Sequence, residues 1–218
     1  MKIIGKLTLF LFVITGVSLL TSCKKDSENI NNSSFVEGFQ DVRGLILRGW
    51  AMKDNSNPLG VTWNQGKKIA VQAESGPETS FISSSGAPNS SSNSSSSSWL
   101  ITPELTMKNG DQIVFYTVAI GGAIYYNHER LQVRRNTKNT GTFVGDTYSS
   151  VGDFTTLLYE INETELTNYY PEVWTKISVE ITDLPTPTAG RIAFRYFLTQ
   201  NNYYSFGIGI DSLAYISK

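Results

Sequence analysis

Ser98-Trp99-Leu100-Ile101-Thr102-Pro103-Glu104-Leu105 is the stretch that decides the fold. An aromatic and aliphatic run stopped by a proline follows directly on a serine-filled tract, residues 83–98. Proline cannot donate to a strand ladder, and a polar low-complexity tract has too little to bury to offset its ordering entropy. The sequence therefore predicts a mobile loop over 83–98, then a core strand with Trp99 buried and Pro103 ending it.

Working outward, everything after this stretch alternates as strands do. Gln112 to Ile120 is apolar almost throughout and stops at Gly121-Gly122, as a strand buried on both faces does. Leu131 and Val133 alternate with Arg130, Gln132 and Arg134. The same period recurs in Lys176 to Ile181, in Ile192 to Leu198 and in Gly207 to Ile216. Before the stretch, Phe35 to Phe39, Leu45 to Trp50 and Ile69 to Ala73 are apolar enough for strands, separated by Asn, Gly and Pro. Phe35 to Phe81 is too short to build a core without disulfides, so the serine tract is expected inside one domain. Many strands with turn-rich gaps and no alternating helices indicate an all-β, two-sheet antiparallel sandwich.

Composition excludes some functions. Eighteen basic and nineteen acidic residues leave a formal net charge of −1, without the field that nucleic-acid binding needs. The single Cys allows no intramolecular disulfide. It stands at residue 23, after a positive start (Lys2, Lys6) and an apolar run from Leu7 to Leu20. Leu20-Thr21-Ser22-Cys23 resembles a bacterial lipobox, so 1–22 is expected to be a lipoprotein signal peptide and Cys23 the lipidated first residue. Several acyl chains give stable anchoring to a membrane without spanning it. Lys24-Lys25-Asp26-Ser27-Glu28 resembles the tract that sends lipoproteins to the outer face of the outer membrane. Residues 23–34, rich in Asn and Ser, are expected to be a flexible tether ahead of the domain at 35–218.

Phe35-Val36-Glu37-Gly38-Phe39, Gly49-Trp50, Ser98 to Pro103 and Gly110 to Ile120 fall in one order with four further segments. These are Glu129 to Val133, Trp174 to Val179, Arg191 to Tyr196, and Gly209-Ile210-Asp211-Ser212-Leu213. The order resembles the choice-of-anchor J domain and the closely similar cleaved adhesin domain, and more distantly the MAM domain. The resemblance implies a β jelly roll at the cell surface, used for adhesion or polymer binding and sometimes holding structural calcium. Glu37, Glu129 and Asp211 match family positions near strand ends and are the expected calcium ligands, since calcium takes six to eight oxygens. Where the family often has paired aspartates, Asp211 is followed by Ser212.

Three tyrosine pairs sit beside asparagines in expected loops: Tyr125-Tyr126-Asn127, Asn168-Tyr169-Tyr170 and Asn201-Asn202-Tyr203-Tyr204. Sugars stack on aromatic faces and bond amide side chains, so Tyr125, Tyr126, Asn127, Tyr169, Tyr170, Asn202, Tyr203 and Tyr204 are the candidate glycan contacts. For catalysis, His128 is the only histidine and has no Gly-x-Ser-x-Gly elbow to serve. Glu160-Ile161-Asn162-Glu163-Thr164-Glu165 looks like a jelly-roll glucanase signature, but Asn162 replaces the aspartate, and a short helix or loop carrying surface charge is expected there. The resulting expectation is a non-enzymatic, surface-exposed binding module for a glycan or a matrix or host protein. A jelly-roll glycoside hydrolase and a structural accessory subunit are the alternatives.

Overall fold

A computed structural model describes residues 34–69, 71–84, 94–121, 128–199 and 205–218. Among them the alternating stretches become twelve strands: β1 Phe35–Glu37, β2 Ala51–Asp54, β3 Trp63–Gln65, β4 Ile82–Ser84, β5 Ser96–Ile101 and β6 Leu105–Met107, followed by β7 Gln112–Ala119, β8 Leu131–Asn136, β9 Thr156–Ile161, β10 Thr175–Glu180, β11 Thr188–Leu198 and β12 Ile208–Ile216. They form two sheets. The first runs β10-β7-β12-β4-β3, with β1 also on β12; the second runs β2-β5-β11-β8-β9, with β6 also on β11. All pairings are antiparallel. Strands from before the serine tract pair with strands from after it in both sheets, so the tract connects parts of one sandwich. Among the described residues no helix is long and apolar enough to cross a membrane.

The core follows from the period of two. Ile192, Phe194, Tyr196 and Leu198 of β11 face Phe115, Ile113, Ile208 and Ile210 of the other sheet, all within one buried cluster. Phe115 meets Phe194 edge to face at 5.0 Å, joining the sheets at their centre. Each large apolar side chain removed from water here contributes about 1.5–3 kcal/mol. Gly209, inside β12, is required by the outer side of the first sheet. A Cβ there would come within 2.9 Å of Trp174, whose ring packs edge to face on Phe81.

The opposite face of the second sheet carries its own small core. Trp99, Ile101 and Ala193 point away from the main core and are covered by Val144 and Phe154 from the 137–155 connection. Trp99 is fully buried, but in this outer layer. Arg195, next along the same face, is buried, and among the described residues no carboxylate contacts it. Its guanidinium stacks on Trp99 and Phe197 at 4.7 and 3.7 Å and bonds the Ser97 hydroxyl, the Gln132 side chain and the Tyr148 carbonyl. Burial, with Arg134 and Arg130 nearby, pushes its pKa down to about 9.

Three local expectations are corrected. Leu45 to Trp50 is not a strand: Val42–Arg48 is a 3-10 helix, because Asp41 caps it by accepting from the Arg43 amide and Gly49 ends it in the left-handed region at φ 84°. Ile69 and 71–73 form no strand; Ile69 is exposed, and Ala73 instead closes a local turn on Glu78. The serine tract is not loop throughout. Ser83 and Ser84 belong to β4, and Ser96, Ser97 and Ser98 open β5, buried and laddered to β11. The small hydroxyls there find partners inside: Ser97 Oγ accepts from Trp99 Nε1 and Arg195 Nε, and Ser95 Oγ donates to the Thr199 carbonyl. Residues 85–93 lie outside the described residues.

The sandwich has two distinct ends. β12 pairs Ile208 with Ala119 at one end and Ile216 with Gln112 at the other, and β1 joins the second end through Phe35 opposite Tyr215. Nine strand residues separate the ends by ~27 Å. Phe35 marks the first described strand at one end; β7 ends and β12 begins at the other, at Ala119 and Ile208.

Candidate functional site

At the end away from Phe35, backbone and side-chain bonds gather the roots of three connections. Ile120 N donates to the Gly207 carbonyl at 2.8 Å, and Ala119 N to the Pro171 carbonyl at 2.7 Å. His128 Nδ1 lies 2.7 Å from the Glu165 carbonyl, and the Thr199 amide donates to Glu165 Oε1 at 2.8 Å. The segments that begin after Gly121, after Asn162 and after Thr199 therefore rise from one place. These are the segments whose sequences hold the tyrosine and asparagine pairs.

A buried carboxylate fixes this meeting point. Glu129 accepts from the Phe206 and Gly207 amides at 2.9 and 3.0 Å, from Tyr196 Oη at 2.6 Å and from Ser205 Oγ at 2.7 Å. Complete burial raises its pKa, outweighing the donors that favour the carboxylate. Asn162, whose φ of 60° suits Asn, builds the neighbouring turn. Its amide donates to the Glu129 and Leu166 carbonyls, and its side-chain oxygen accepts from the Leu166 amide. An amide can do both at once; an aspartate could not.

Tyr169 and Tyr170 part company at this end. Tyr169 is 64% exposed, whereas Tyr170 is 1% exposed and belongs to the main core. Its hydroxyl meets Thr117 Oγ1 at 2.6 Å, and burial pushes its pKa up. The expectation that Tyr170 offers a sugar contact is thus corrected: the core takes its ring, and Thr117 satisfies the hydroxyl that burial would otherwise strand. Tyr125, Tyr126, Asn127, Asn202, Tyr203 and Tyr204 lie outside the described residues, as does Cys23. A cleft of about 300 Å³ opens at the same end, lined by Phe206, Ile120, Phe81, Ser83, Asn64 and Lys67 among others.

Two other clefts are lined by residues of the 3-10 helix or β1, one of them at the Phe35 end. The larger, about 620 Å³, runs between the 3-10 helix and Trp63, and its polar wall is already committed: Gln65 accepts from the Val42 amide and donates to the Phe39 and Thr79 carbonyls. In the other, Glu37 and Arg48 bond each other at 3.0 Å. Volume favours the cleft beside the 3-10 helix, but the exposed ring of Tyr169 favours the other end.

The three expected calcium ligands do not come together. Glu37 is taken by Arg48 and the Phe39 amide, Glu129 by the four donors above, and Asp211 by the Ser75 and Ser212 amides. These are three separate networks, filled by donors that a cation would have to displace. Among the described residues no group of three or more His, Cys, Asp or Glu is arranged to hold a metal. Glu37, Glu129 and Asp211 therefore do not fit one calcium ion. Asp211 is instead a buried acid beside Glu74; burial raises its pKa from 3.8 to about 6, the charge of Glu74 adding to the rise.

Glu160 and Glu165 also differ from expectation. Glu160 stands on β9, not on a loop or short helix, and bonds Arg130 Nε and Gln132 Nε2, each at 2.7 Å. Glu165 bonds Arg130 Nη1 at 3.2 Å as well as Thr199. Both carboxylates are thus clamped to one arginine, the opposite of the environment that keeps a general acid protonated. The sequence also gave no warning of the buried Arg195 stack. The available signal was the outward register of β11 and β5, where Phe197 and Trp99 flank an arginine on a face expected to be polar.

The geometry defines a two-sheet β-sandwich adhesion or binding module. Residues 35–213 match the family model described as the Cleaved Adhesin Domain, and the chain belongs to that family. Three solved structures share the architecture, all cleaved adhesin domains of Lys-gingipain from Porphyromonas gingivalis. The K1 domain is 18% identical, with a TM-score of 0.55, over 86% of this chain and 99% of that domain. The K3 and K2 domains are each 20% identical with TM-scores of 0.53, over 84% and 85% of this chain and 98% and 99% of theirs. Among curated proteins no relative matches the sequence.

Proposed function

We propose that this chain is an adhesion module displayed on the outer membrane, held by a lipid at Cys23, that captures a glycan with the end carrying Tyr169. One observation carries the reading: the roots of the three segments whose sequences hold Tyr and Asn are bonded together at the end that exposes Tyr169. Exposed rings beside amides suit a sugar's C–H face and hydroxyls. That end also lies ~27 Å along the strands from Phe35, where the tether joins, so it points away from the anchor.

A matrix or host protein as ligand is favoured by a different observation, the exposed Leu166 and Val173 near Tyr169. A glycan array followed by calorimetry separates the two. Binding to a defined glycan, weakened about tenfold or more by Tyr169→Ala, supports glycan capture. An array silent throughout, with capture of a matrix protein that Leu166→Asp abolishes, replaces it by the second reading. The clamped state of Glu160 and Glu165 supports a module without hydrolytic activity.

A further inference from the structure

The end where the tether joins presents an apolar surface. Leu47 and Ile46 on the 3-10 helix are 92% and 70% exposed, and Val36 on β1 is 76% exposed. The helix and β1 are tied by the Arg48–Glu37 pair, so the three aliphatic side chains flank one ion pair. Ile216, partly exposed, lies beside them, since Tyr215 pairs with Phe35 and the Ser217 amide donates to Ser34 Oγ. Charged side chains border it: Arg43 reaches into solvent while bonding Asp41, Arg48 is half exposed while bonding Glu37, and Lys218 follows β12.

Twelve residue steps separate Cys23 from Phe35, a reach of at most about 40 Å. A lipid at Cys23 therefore keeps this end always within about 40 Å of the bilayer, and nearer to it on average than the tyrosine end ~27 Å further along the strands. From this juxtaposition we infer that the face formed by Val36, Ile46, Leu47 and Ile216 rests on the lipid surface. The aliphatic side chains enter the headgroup boundary, and Arg43, Arg48 and Lys218 meet its phosphates. The affinity of such a patch alone is small. The tether makes docking intramolecular and raises the effective concentration of surface seen by the patch. Docking in this way orients the sandwich upright and directs Tyr169 outward. The inference rests on the anchored reading above, and its test supplies the anchor chemically so that the two fail separately.

Cys23 is the sole cysteine, so the chain from Cys23 onward can be coupled through that thiol to maleimide lipid in vesicles of phosphatidylethanolamine and phosphatidylglycerol. A photo-crosslinking p-benzoylphenylalanine is placed at position 47 or, separately, at position 169, both exposed sites that tolerate replacement. The expected result is a yield of lipid adducts about tenfold higher from position 47 than from 169, falling towards the 169 level when Ile46→Asp is added. Equal yields from the two positions, or a yield at 47 that Ile46→Asp leaves unchanged, would overturn the inference. Neither outcome touches the glycan result, which is read without vesicles.

Discussion

Each end of the sandwich is closed by one buried carboxylate, and the two do their work under opposite electrostatic conditions. At the tyrosine end Glu129 gathers four donors from β11 and the segment leading into β12; at the tether end Asp111 accepts from the Lys108 and Lys218 amides and from Tyr215 Oη. Burial dominates at Glu129 and its pKa rises. At Asp111 burial pulls the same way, but Tyr215 and the two amides outweigh it and the pKa falls below 3.8. Asp111 is thus held more readily as the ion, whereas burial shifts Glu129 towards its protonated form.

Removing the two carboxylates gives the largest separation between the ends. Glu129→Ala strands the Phe206 and Gly207 amides and leaves the Tyr196 and Ser205 hydroxyls only each other, and is expected to cost on the order of 3–5 kcal/mol. Asp111→Ala frees the Lys218 amide to meet water and is expected to cost about 2 kcal/mol. Urea unfolding monitored by fluorescence of the buried tryptophans measures both; equal losses would remove the distinction. Next in size, Tyr170→Phe deletes the bond to Thr117 and is expected to cost about 1 kcal/mol while leaving ligand binding intact. A loss of binding with unchanged stability would return Tyr170 to the site.

A further effect is a slope with pH. The folded pKa of Asp211 is raised from 3.8 to about 6, so the folded state holds its proton more tightly than the unfolded chain. Its contribution to stability is present in full below about pH 4 and is lost as pH rises through about 6. Asp211→Asn should therefore flatten the decline in urea midpoint between pH 4 and pH 7, and an unaltered slope would assign the decline elsewhere.

How much of this was legible in the residues differs between the two ends of the molecule. The long strands were, because a period of two and the Trp99 to Pro103 stop are local signals that the core enforces. The 3-10 helix was missed because Leu45, Ile46 and Leu47 are apolar enough for a strand, and only the cap at Asp41 and the left-handed Gly49 turn them into helix. Ser96 to Ser98 were assigned to loop because composition ignores that a hydroxyl inside a sheet can be satisfied by Trp99 and Arg195. In the candidate site, the bonding of Ala119 to Pro171 and of His128 to Glu165 was not legible, because it depends on which strands become neighbours. Nor was the difference between Tyr169 and Tyr170, since it depends on Thr117, more than fifty residues away. The calcium set failed for the same reason: sequence gives the carboxylates but not the amides that occupy them.

The central claim, that ligand capture belongs to the end with Tyr169 and membrane contact to the end with Leu47, is tested most directly by one binding isotherm measured on two variants. Titration of a glycan identified on the array is predicted to show affinity reduced about tenfold or more by Tyr169→Ala and unchanged by Leu47→Asp. Affinity lost in Leu47→Asp and retained in Tyr169→Ala would contradict the account.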